Sequence, residues 1–227
     1  MIHKNQVNLR GNRQNLMYVS NELLNLVEQV YFSPPRQAGS FSIEKWLGTC
    51  DIRYFSLGRH ALVSALKILN IKDGDRVAVP EFICRDLLAS LAAVGAKVLF
   101  YPVDEKLSFA CSPSELFGVK AIIAVNYFGF PQDLAPFEEL SRQTGAVIIE
   151  DNSHGFLSCD ELGTPLGRRT PLGIYSLRKT FPIKNGAALL TNDVTLSKLL
   201  PMQLGFGAGI PLSLRAKQLL RRSVPVV

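Results

Sequence analysis

Short apolar runs that alternate with amphipathic segments constrain the fold of this chain more than any other feature of its sequence. The runs predicted as strands are residues 76–80, 97–103, 119–125 and 146–150, and a further strand is predicted directly before Ser176. The segments predicted as helices, from the helical spacing of their apolar residues, are 61–69, 83–94, 112–117 and 134–143. Strands that alternate with helices form mostly parallel sheets covered on both faces, because the crossovers are right-handed. We therefore predict an α/β fold with a three-layer, mostly parallel, doubly wound sheet.

The composition is typical of an ordered globular protein with one substantial core. The chain has 227 residues, of which 47% are hydrophobic, and a mean hydropathy of +0.15. Its cysteines lie far apart, at positions 50, 84, 111 and 159, and form no CxxC pair. No apolar run reaches the roughly 18 residues that a membrane span needs. These observations predict a reduced, cytoplasmic protein that has no metal site and does not span a membrane.

The formal net charge of +6 is unevenly distributed along the chain. The segment after Asp193 has no acidic residue, and its basic residues are Lys198, Arg215, Lys217, Arg221 and Arg222. Such a segment is either a solvated helix face or a contact for an anionic partner. Nucleic-acid platforms interleave several aromatic residues with basic ones, whereas this segment has only Phe206. We therefore predict no nucleic-acid partner.

Residues with usable chemistry follow several of the predicted strands. In an open parallel sheet, ligands bind outside the carboxyl ends of the strands. The segments expected at that edge are residues 80–84, 126–129, 151–154 and 176–179. They come from separate parts of the chain and meet at one edge, so we predict a single active site that includes Asp151, Ser176 and Lys179.

A glycine turn at Gly58 precedes the first helical segment. The free backbone N–H groups and the positive dipole end of such a helix bind phosphate without any particular side chain. Arg59 either adds a charge-assisted hydrogen bond or is solvated. Because most turns of this kind bind no ligand, the phosphate prediction depends on the residues that accompany the turn.

Asp151, Ser176 and Lys179 form a set that suits pyridoxal phosphate. A carboxylate opposite the pyridine nitrogen stabilises its protonated form, a lysine forms the Schiff base and moves protons, and a hydroxyl binds the phosphate. Each residue also has a structural alternative: Asp151 as a helix cap, Lys179 as a surface lysine and Ser176 as a backbone cap. An unrelated nucleotide-binding sheet protein would leave the set unexplained.

Several motifs resemble the DegT-type (DegT/DnrJ/StrS) sugar aminotransferases, which are fold type I pyridoxal-phosphate enzymes. The motifs lie in the family's order: Leu57–Leu62, Val79–Pro80, Asn126–Gly129, Glu150–His154, and Ser176–Lys179 followed by Gly186–Ala187. The resemblance implies the large domain of the fold type I transferases and a homodimer whose active sites lie at the subunit interface. It also implies amino transfer, usually from glutamate, to a keto group of a nucleotide-linked sugar, and hence a role in polysaccharide biosynthesis.

The resemblance implies a role for individual residues of the site. The residues that it places at the phosphate are Gly58, Arg59, His60 and Ser176. It implies that Asp151 pairs with the ring nitrogen and that Lys179 forms the Schiff base.

Two further positions match the family near the cofactor ring. His154 matches a position that often holds a polar residue near the phenolic oxygen, although a lone histidine in such a loop is also often structural. The segment Phe82–Cys84 matches the one that covers a face of the ring, and Phe82 is its only aromatic residue.

The choice of lysine rests on spacing. The family's usual pattern has a serine five residues before the lysine, whereas Ser176 precedes Lys179 by three, and Lys184 is therefore a rival. The small pair Gly186–Ala187 lies seven and eight positions after Lys179, which matches the family's downstream spacing and favours Lys179.

The predicted domains are an N-terminal arm over residues 1–50, a cofactor-binding large domain over 51–200, and a linker with the start of a truncated segment over 201–227. Family members continue into a smaller C-terminal lobe, to which nothing in this sequence corresponds. Two hypotheses follow. The first is a sugar aminotransferase that takes this lobe from a separate chain or functions without it. The second is a truncated, non-catalytic cofactor-binding or dimerisation domain, either a split-gene product or a regulatory relative.

Overall fold

The computed structural model describes residues 42–48 and 51–200 and the backbone of two short strands before them. The chain divides into two compact units, Met1–Ile43 and Glu44–Val227. In the first unit, β1 (Asn5–Val7) pairs antiparallel with β2 (Met17–Val19). The predicted arm (1–50) lies mostly outside the described residues, and the predicted C-terminal segment (201–227) lies wholly outside them. The predicted domain boundaries therefore remain predictions.

Helices alternate with strands through most of the second unit. The strands there are β3 (Asp51–Phe55), β4 (Arg76–Pro80), β5 (Lys97–Tyr101), β6 (Val119–Val125), β7 (Val147–Asp151), β8 (Leu172–Tyr175) and β9 (Ala187–Thr191). The α-helices of the described residues are α1 (Ile43–Leu47), α2 (Gly58–Ile68), α3 (Arg85–Ala92), α4 (Ala135–Thr144) and α5 (Val194–Ser197). Three short 3-10 turns lie at Pro113–Leu116, Tyr127–Gly129 and Leu177–Lys179.

The strands of this unit form a mixed, seven-stranded sheet in the order β3-β9-β8-β7-β6-β4-β5. Strands β5, β4, β6, β7 and β8 run parallel, while β9 is antiparallel to both β8 and β3. The predicted three-layer, mostly parallel sheet is confirmed. The predicted helix at 112–117 is reduced to the 3-10 turn Pro113–Leu116.

Strand β9 was not among the predicted strands, and neither was β3. Polar Asp51 and Arg53 interrupt its apolar pattern, and it pairs with β9 at one edge of the sheet, where one side of a strand is not hydrogen-bonded to a neighbour. A polar, partly exposed edge strand lacks the continuous apolar run that marks a central parallel strand.

Side-chain alternation along the central strands divides the core into two clusters. In β6, Ile123 and Val125 pack with α2 and α3 on one face, whereas Ile122 and Ala124 pack with α4 on the other. Because successive side chains point to opposite faces, both faces of this strand must be apolar. The burial of both faces fixes the register of the strands, and the register sets where they end.

Candidate functional site

The carboxyl ends of β6, β7 and β8 meet at one edge of the sheet, with Asp151 between its neighbours. Asp151 is paired in register with Val125 on one side and Ile174 on the other. The main chain continues this alignment beyond the strands, since the Asn126 N–H donates to the Asp151 carbonyl at 2.9 Å. Ser176 follows β8 directly and lies in the same region. The predicted convergence of these segments is therefore observed.

Two adjoining cavities open at this edge. The helix-end cavity, of about 70 Å³, is lined by residues that include Gly58, Arg59, Ser176 and Arg178. The strand-end cavity, of about 340 Å³, is lined by residues that include Phe82, Tyr127, Phe128 and His154. Cys84, Asp151, Ser153 and Lys179 line both cavities. The two cavities therefore adjoin, and together they make a site with a small end and a large end.

The helix-end cavity combines a helix start with a buried hydroxyl. Helix α2 begins at Gly58, and its N-cap residue Leu57 makes no side-chain hydrogen bond that would cap it. The first N–H groups of a helix lack intrahelical acceptors, so this end can donate to an anion. Ser176 is only 4% exposed, and its hydroxyl has no hydrogen-bond partner among the described residues. Because Ser176 lines this cavity, its hydroxyl is available to bond a ligand or a water there.

Asp151 lies where the two cavities meet, and a backbone contact orients its carboxylate. The Ser153 N–H donates to Asp151 Oδ1 at 2.9 Å. The Asp151 charge also acts on Tyr127: burial, and to a lesser degree this carboxylate, raises the pKa of Tyr127 to about 12. Tyr127 therefore stays protonated at neutral pH and donates its hydroxyl to the Phe82 carbonyl at 2.7 Å. This bond ties the segment after β4 to the segment after β6.

His154 lies in the wall of the strand-end cavity with its ring stacked on Phe128. The ring centroids are 6.0 Å apart and the planes differ by 13°. Burial and the nearby positive charge of Lys179 lower the pKa of His154, while Asp151 raises it, and the net direction is downward. The imidazole is therefore neutral near pH 7.

The loops that carry His154 and Phe128 pack backbone against backbone. A Cβ added at Gly155 would lie 2.6 Å from the Cα of Gly129, so neither loop leaves room for a side chain at this crossing. Phe128 has a φ of 55°, in the left-handed region that a bulky residue seldom adopts. Tight loop packing thus places the stacked rings at the mouth of the cavity.

Lys179 and Lys184 differ in position although both side chains are exposed. Lys179 ends the 3-10 turn that begins at Leu177, and its N–H donates to the Ser176 carbonyl at 3.0 Å. It lines both cavities, whereas Lys184 lines neither. Of the two candidate lysines, Lys179 is therefore the one placed beside Asp151 in the lining of both cavities.

The remaining predicted residues occupy different positions around the site. Arg59 lines the helix-end cavity, where its guanidinium lies 3.2 Å from the Asp86 carboxylate in a half-exposed ion pair. The exposed His60 lines neither cavity: its Nδ1 lies 2.8 Å from the Ser56 hydroxyl. The His60 N–H donates to the Leu57 carbonyl at 3.0 Å, so the amides at Gly58 and Arg59 are the ones open to a ligand. Phe82 lines the strand-end cavity and is 57% exposed.

Sequence reasoning missed a buried ion pair behind the site. Glu150 is fully buried, and its carboxylate accepts from Arg169 at 2.6 Å and from the Asn126 amide at 2.8 Å. Arg169 also donates to the Asn126 side chain at 3.1 Å and to the Gln132 carbonyl at 3.1 Å. The one signal in the sequence was Glu150 itself, an acidic residue at the end of an apolar run. A carboxylate buried there requires a partner, but the sequence does not say which residue provides it.

Ser153, Cys84 and Tyr127 also line the site; they belong to the segments expected at this edge, but no individual role was predicted for them. Within residues 42–48 and 51–200, no group of three or more His, Cys, Asp or Glu side chains is arranged to hold a metal ion. The helices of that part of the chain include none with both the length and the apolar character needed to cross a membrane.

Comparison with known proteins gives a match to one family and to several individual proteins. The model of the DegT/DnrJ/EryC1/StrS aminotransferase family matches residues 44–209. Protein MosB of Rhizobium meliloti is 29% identical over 178 residues, which are 74% of this chain and 34% of MosB. The UDP-N-acetyl-3-dehydro-alpha-D-glucosamine 3-aminotransferase of Acidithiobacillus ferrooxidans is 30% identical over 157 residues, which are 63% of this chain and 40% of that enzyme.

A solved structure agrees with these matches. The DegT DnrJ EryC1 StrS aminotransferase from Brucella abortus superimposes with a TM-score of 0.63 at 26% identity, over 74% of this chain and 49% of that one. The chain thus spans from about a third to about half of the length of these similar proteins.

Proposed function

Because the chain belongs to the DegT/DnrJ/EryC1/StrS aminotransferase family, we propose that it binds pyridoxal phosphate for amino transfer to a nucleotide-linked sugar. We propose that the amino donor is an amino acid, with glutamate as the first candidate, and that the acceptor is a keto group of the sugar. One observation carries the proposal: the carboxylate of Asp151, the amine of Lys179 and the hydroxyl of Ser176 line one cavity at the start of a helix.

The described residues fit this cofactor at each of its polar groups. The open start of α2 and the unpartnered hydroxyl of Ser176 suit a phosphate, since both are donors directed at one small cavity. Asp151 suits a protonated ring nitrogen, and its backbone contact with Ser153 holds one carboxylate oxygen in place. The larger strand-end cavity leaves room for a ring and for part of a substrate.

We assign the following roles to the chain's own residues. Pyridoxal phosphate, when bound, withdraws electrons from the carbon that carries the transferred amino group. Asp151 keeps the ring nitrogen protonated, because an adjacent negative charge raises the pKa of that nitrogen. Lys179 holds the cofactor covalently through Nζ and, once released, carries a proton to or from the substrate carbon. His154, neutral at pH 7, and Phe82 line the strand-end cavity, in which the ring would be held.

The covalent role of Lys179 can be tested directly. After reconstitution with pyridoxal phosphate, borohydride reduction and peptide mass mapping should locate the label on Lys179 in the wild-type chain. Lys184→Ala is the matched control, because Lys184 is also exposed but lines neither cavity. We expect the control to be labelled like the wild type and Lys179→Ala to carry no specific label. Labelling of Lys184 in the wild-type chain would refute the assignment.

The donor half of the reaction distinguishes an enzyme from a non-catalytic cofactor-binding protein. The 227-residue chain, loaded with cofactor, should release about one equivalent of 2-oxoglutarate per site when glutamate is added, measured by a coupled assay. A UDP-linked 3-keto sugar is the first acceptor to try, because a 30% identical relative is named for such a substrate. Cofactor binding without any 2-oxoglutarate would favour the non-catalytic alternative.

We further propose that the protein is a homodimer, as the family resemblance implies. Large apolar side chains near the mouth of the strand-end cavity support an interface there: Phe128 is 67% exposed and Phe130 is 72% exposed. Light scattering of the purified chain should give twice the monomer mass of 25.0 kDa. A monomer at micromolar concentration would contradict this part of the proposal.

A further inference from the structure

Ser153 lies where the two cavities meet and contacts the site through its main chain. It lines both cavities and follows β7 by two positions. Its N–H donates to Asp151 Oδ1 at 2.9 Å. Substitution of the Ser153 side chain leaves this contact intact, because the donor is a backbone group. The hydroxyl is thus separable by mutation from the orientation of Asp151.

The Ser153 hydroxyl approaches the first residue of helix α2. A Cβ added at Gly58 would lie 3.8 Å from Ser153 Oγ and 4.0 Å from Ser176 Cβ. Two hydroxyl side chains from different loops therefore flank the same glycine, at the end of the helix where backbone N–H groups are free. The absence of a Cβ at Gly58 keeps the space between them open.

Ser176 offers a second hydroxyl to a ligand in this space. The residue is 4% exposed, it lines the helix-end cavity, and its hydroxyl has no hydrogen-bond partner among the described residues. Ser153 Oγ likewise makes no hydrogen bond within that part of the chain. An oxyanion between them would accept from both hydroxyls and from the helix N–H groups, and each bond to a charged acceptor is stronger than one to a neutral acceptor.

We propose that Ser153 is a further cofactor-binding residue, whose hydroxyl donates to the phosphate of pyridoxal phosphate. This inference rests on the proposed function, because it takes the helix-end cavity to be the phosphate end of the site. The same residue then acts on both ends of the cofactor: its hydroxyl binds the phosphate, and its N–H holds the carboxylate that faces the ring.

The test compares two ligands that differ only in the phosphate and that form no covalent bond with a lysine. Pyridoxamine 5′-phosphate and pyridoxamine are titrated by calorimetry into the wild-type chain and into Ser153→Ala. We expect the variant to bind pyridoxamine 5′-phosphate about tenfold more weakly and pyridoxamine with unchanged affinity. Ser114→Ala is the control, since that exposed hydroxyl bonds Ser112 in a 3-10 turn and lines neither cavity.

A second variant keeps the test decisive if the Ser153→Ala effect is small. In Ser153→Asp, repulsion between the carboxylate and the phosphate should abolish the preference for the phosphorylated ligand while pyridoxamine still binds. Equal weakening of both ligands in both variants, or no change in either variant, would overturn the proposal. If the wild-type chain itself shows no preference for the phosphorylated ligand, the proposed function is lost as well. If the wild type shows the preference and both variants retain it, only the role of Ser153 is lost.

Discussion

The helix-end and strand-end cavities share Asp151 and Lys179 in their linings, but the other groups that line them differ in kind. The small cavity, of about 70 Å³, uses main-chain N–H groups and short side chains around Gly58. The large one, of about 340 Å³, is walled by aromatic rings, of which Phe82 is 57% exposed and Phe128 is 67% exposed. Backbone N–H groups and the buried residue Ser176 leave one end preformed, whereas exposed rings can move or pack against a partner. The phosphate end should therefore depend on the fold, and the ring end on individual side chains.

The largest effect should come from the ion pair behind the strand-end cavity. Replacing Arg169 by Met leaves the Glu150 carboxylate, which is 0% exposed, without its charged partner. We expect the free energy of unfolding in urea to fall by about 3–5 kcal/mol. Arg142→Met is the control, because the Arg142–Glu139 pair is exposed and should contribute little. Equal unfolding midpoints for the two variants would show that the buried pair does not support this end of the site.

The second-largest effect should come from Asp151→Asn, which we expect to slow the reaction without weakening phosphate binding. Asp151→Asn removes the charge at the junction of the cavities while keeping the side chain's shape. We expect the rate of the glutamate half-reaction to fall about 100-fold or more, since stabilisation of a charged centre by one group is worth roughly this much. Affinity for pyridoxamine 5′-phosphate should change by less than about threefold, because the phosphate donors remain. Stopped-flow spectroscopy and calorimetry measure the two quantities, and a parallel loss in both would show that the two ends do not work independently.

Gly58→Ala should weaken ligand binding at the start of helix α2 without lowering the stability of the fold. The added Cβ would meet Ser153 Oγ at 3.8 Å and Ser176 Cβ at 4.0 Å, which are ordinary contacts, so the fold should tolerate it. Alanine in the first turn should leave the unfolding free energy unchanged or raise it by about 0.4–1 kcal/mol. The methyl group would, however, occupy the space at the start of helix α2 in which we propose that the phosphate binds. It should therefore weaken the binding of pyridoxamine 5′-phosphate about tenfold. Unaltered binding would show that the phosphate lies elsewhere.

The smallest expected effect concerns His154 and pH. Burial and Lys179 lower the pKa of this histidine in the folded state below its ordinary value of 6.5. The unfolded chain therefore binds more protons between the two pKa values, and stability should decline as the pH falls from about 6.5 through the folded-state value. Thermal midpoints measured from pH 8 to pH 5 should decline less steeply in His154→Gln than in the wild type. Identical slopes would mean that His154 does not contribute to the acid sensitivity.

Strand ends were the part of the site that sequence reasoning could predict. Asp151 follows an apolar run, and Ser176 and Lys179 follow another, so a parallel sheet brings all three to one edge. The spacing of Lys179 from Gly186 favoured it over Lys184, and the structure brings Lys179, and not Lys184, to the cavities. The roles of these residues remain to be tested by the experiments above. The polar edge strand β3 escaped prediction because only central strands carry the apolar run on which the method depends.

The sequence by itself determined the layers and the strand ends, because periodicity and turn residues act within short stretches of chain. The tertiary structure decided which side chains from distant stretches face one another: Arg169 against Glu150, and Ser153 beside Gly58. The sheet order also belongs to the tertiary structure, since β4 lies between β5 and β6 and β9 runs antiparallel beside β8. These pairings depend on burying apolar faces and pairing hydrogen-bonding groups at the same time across the whole domain. A pattern within a short stretch of sequence does not contain that information.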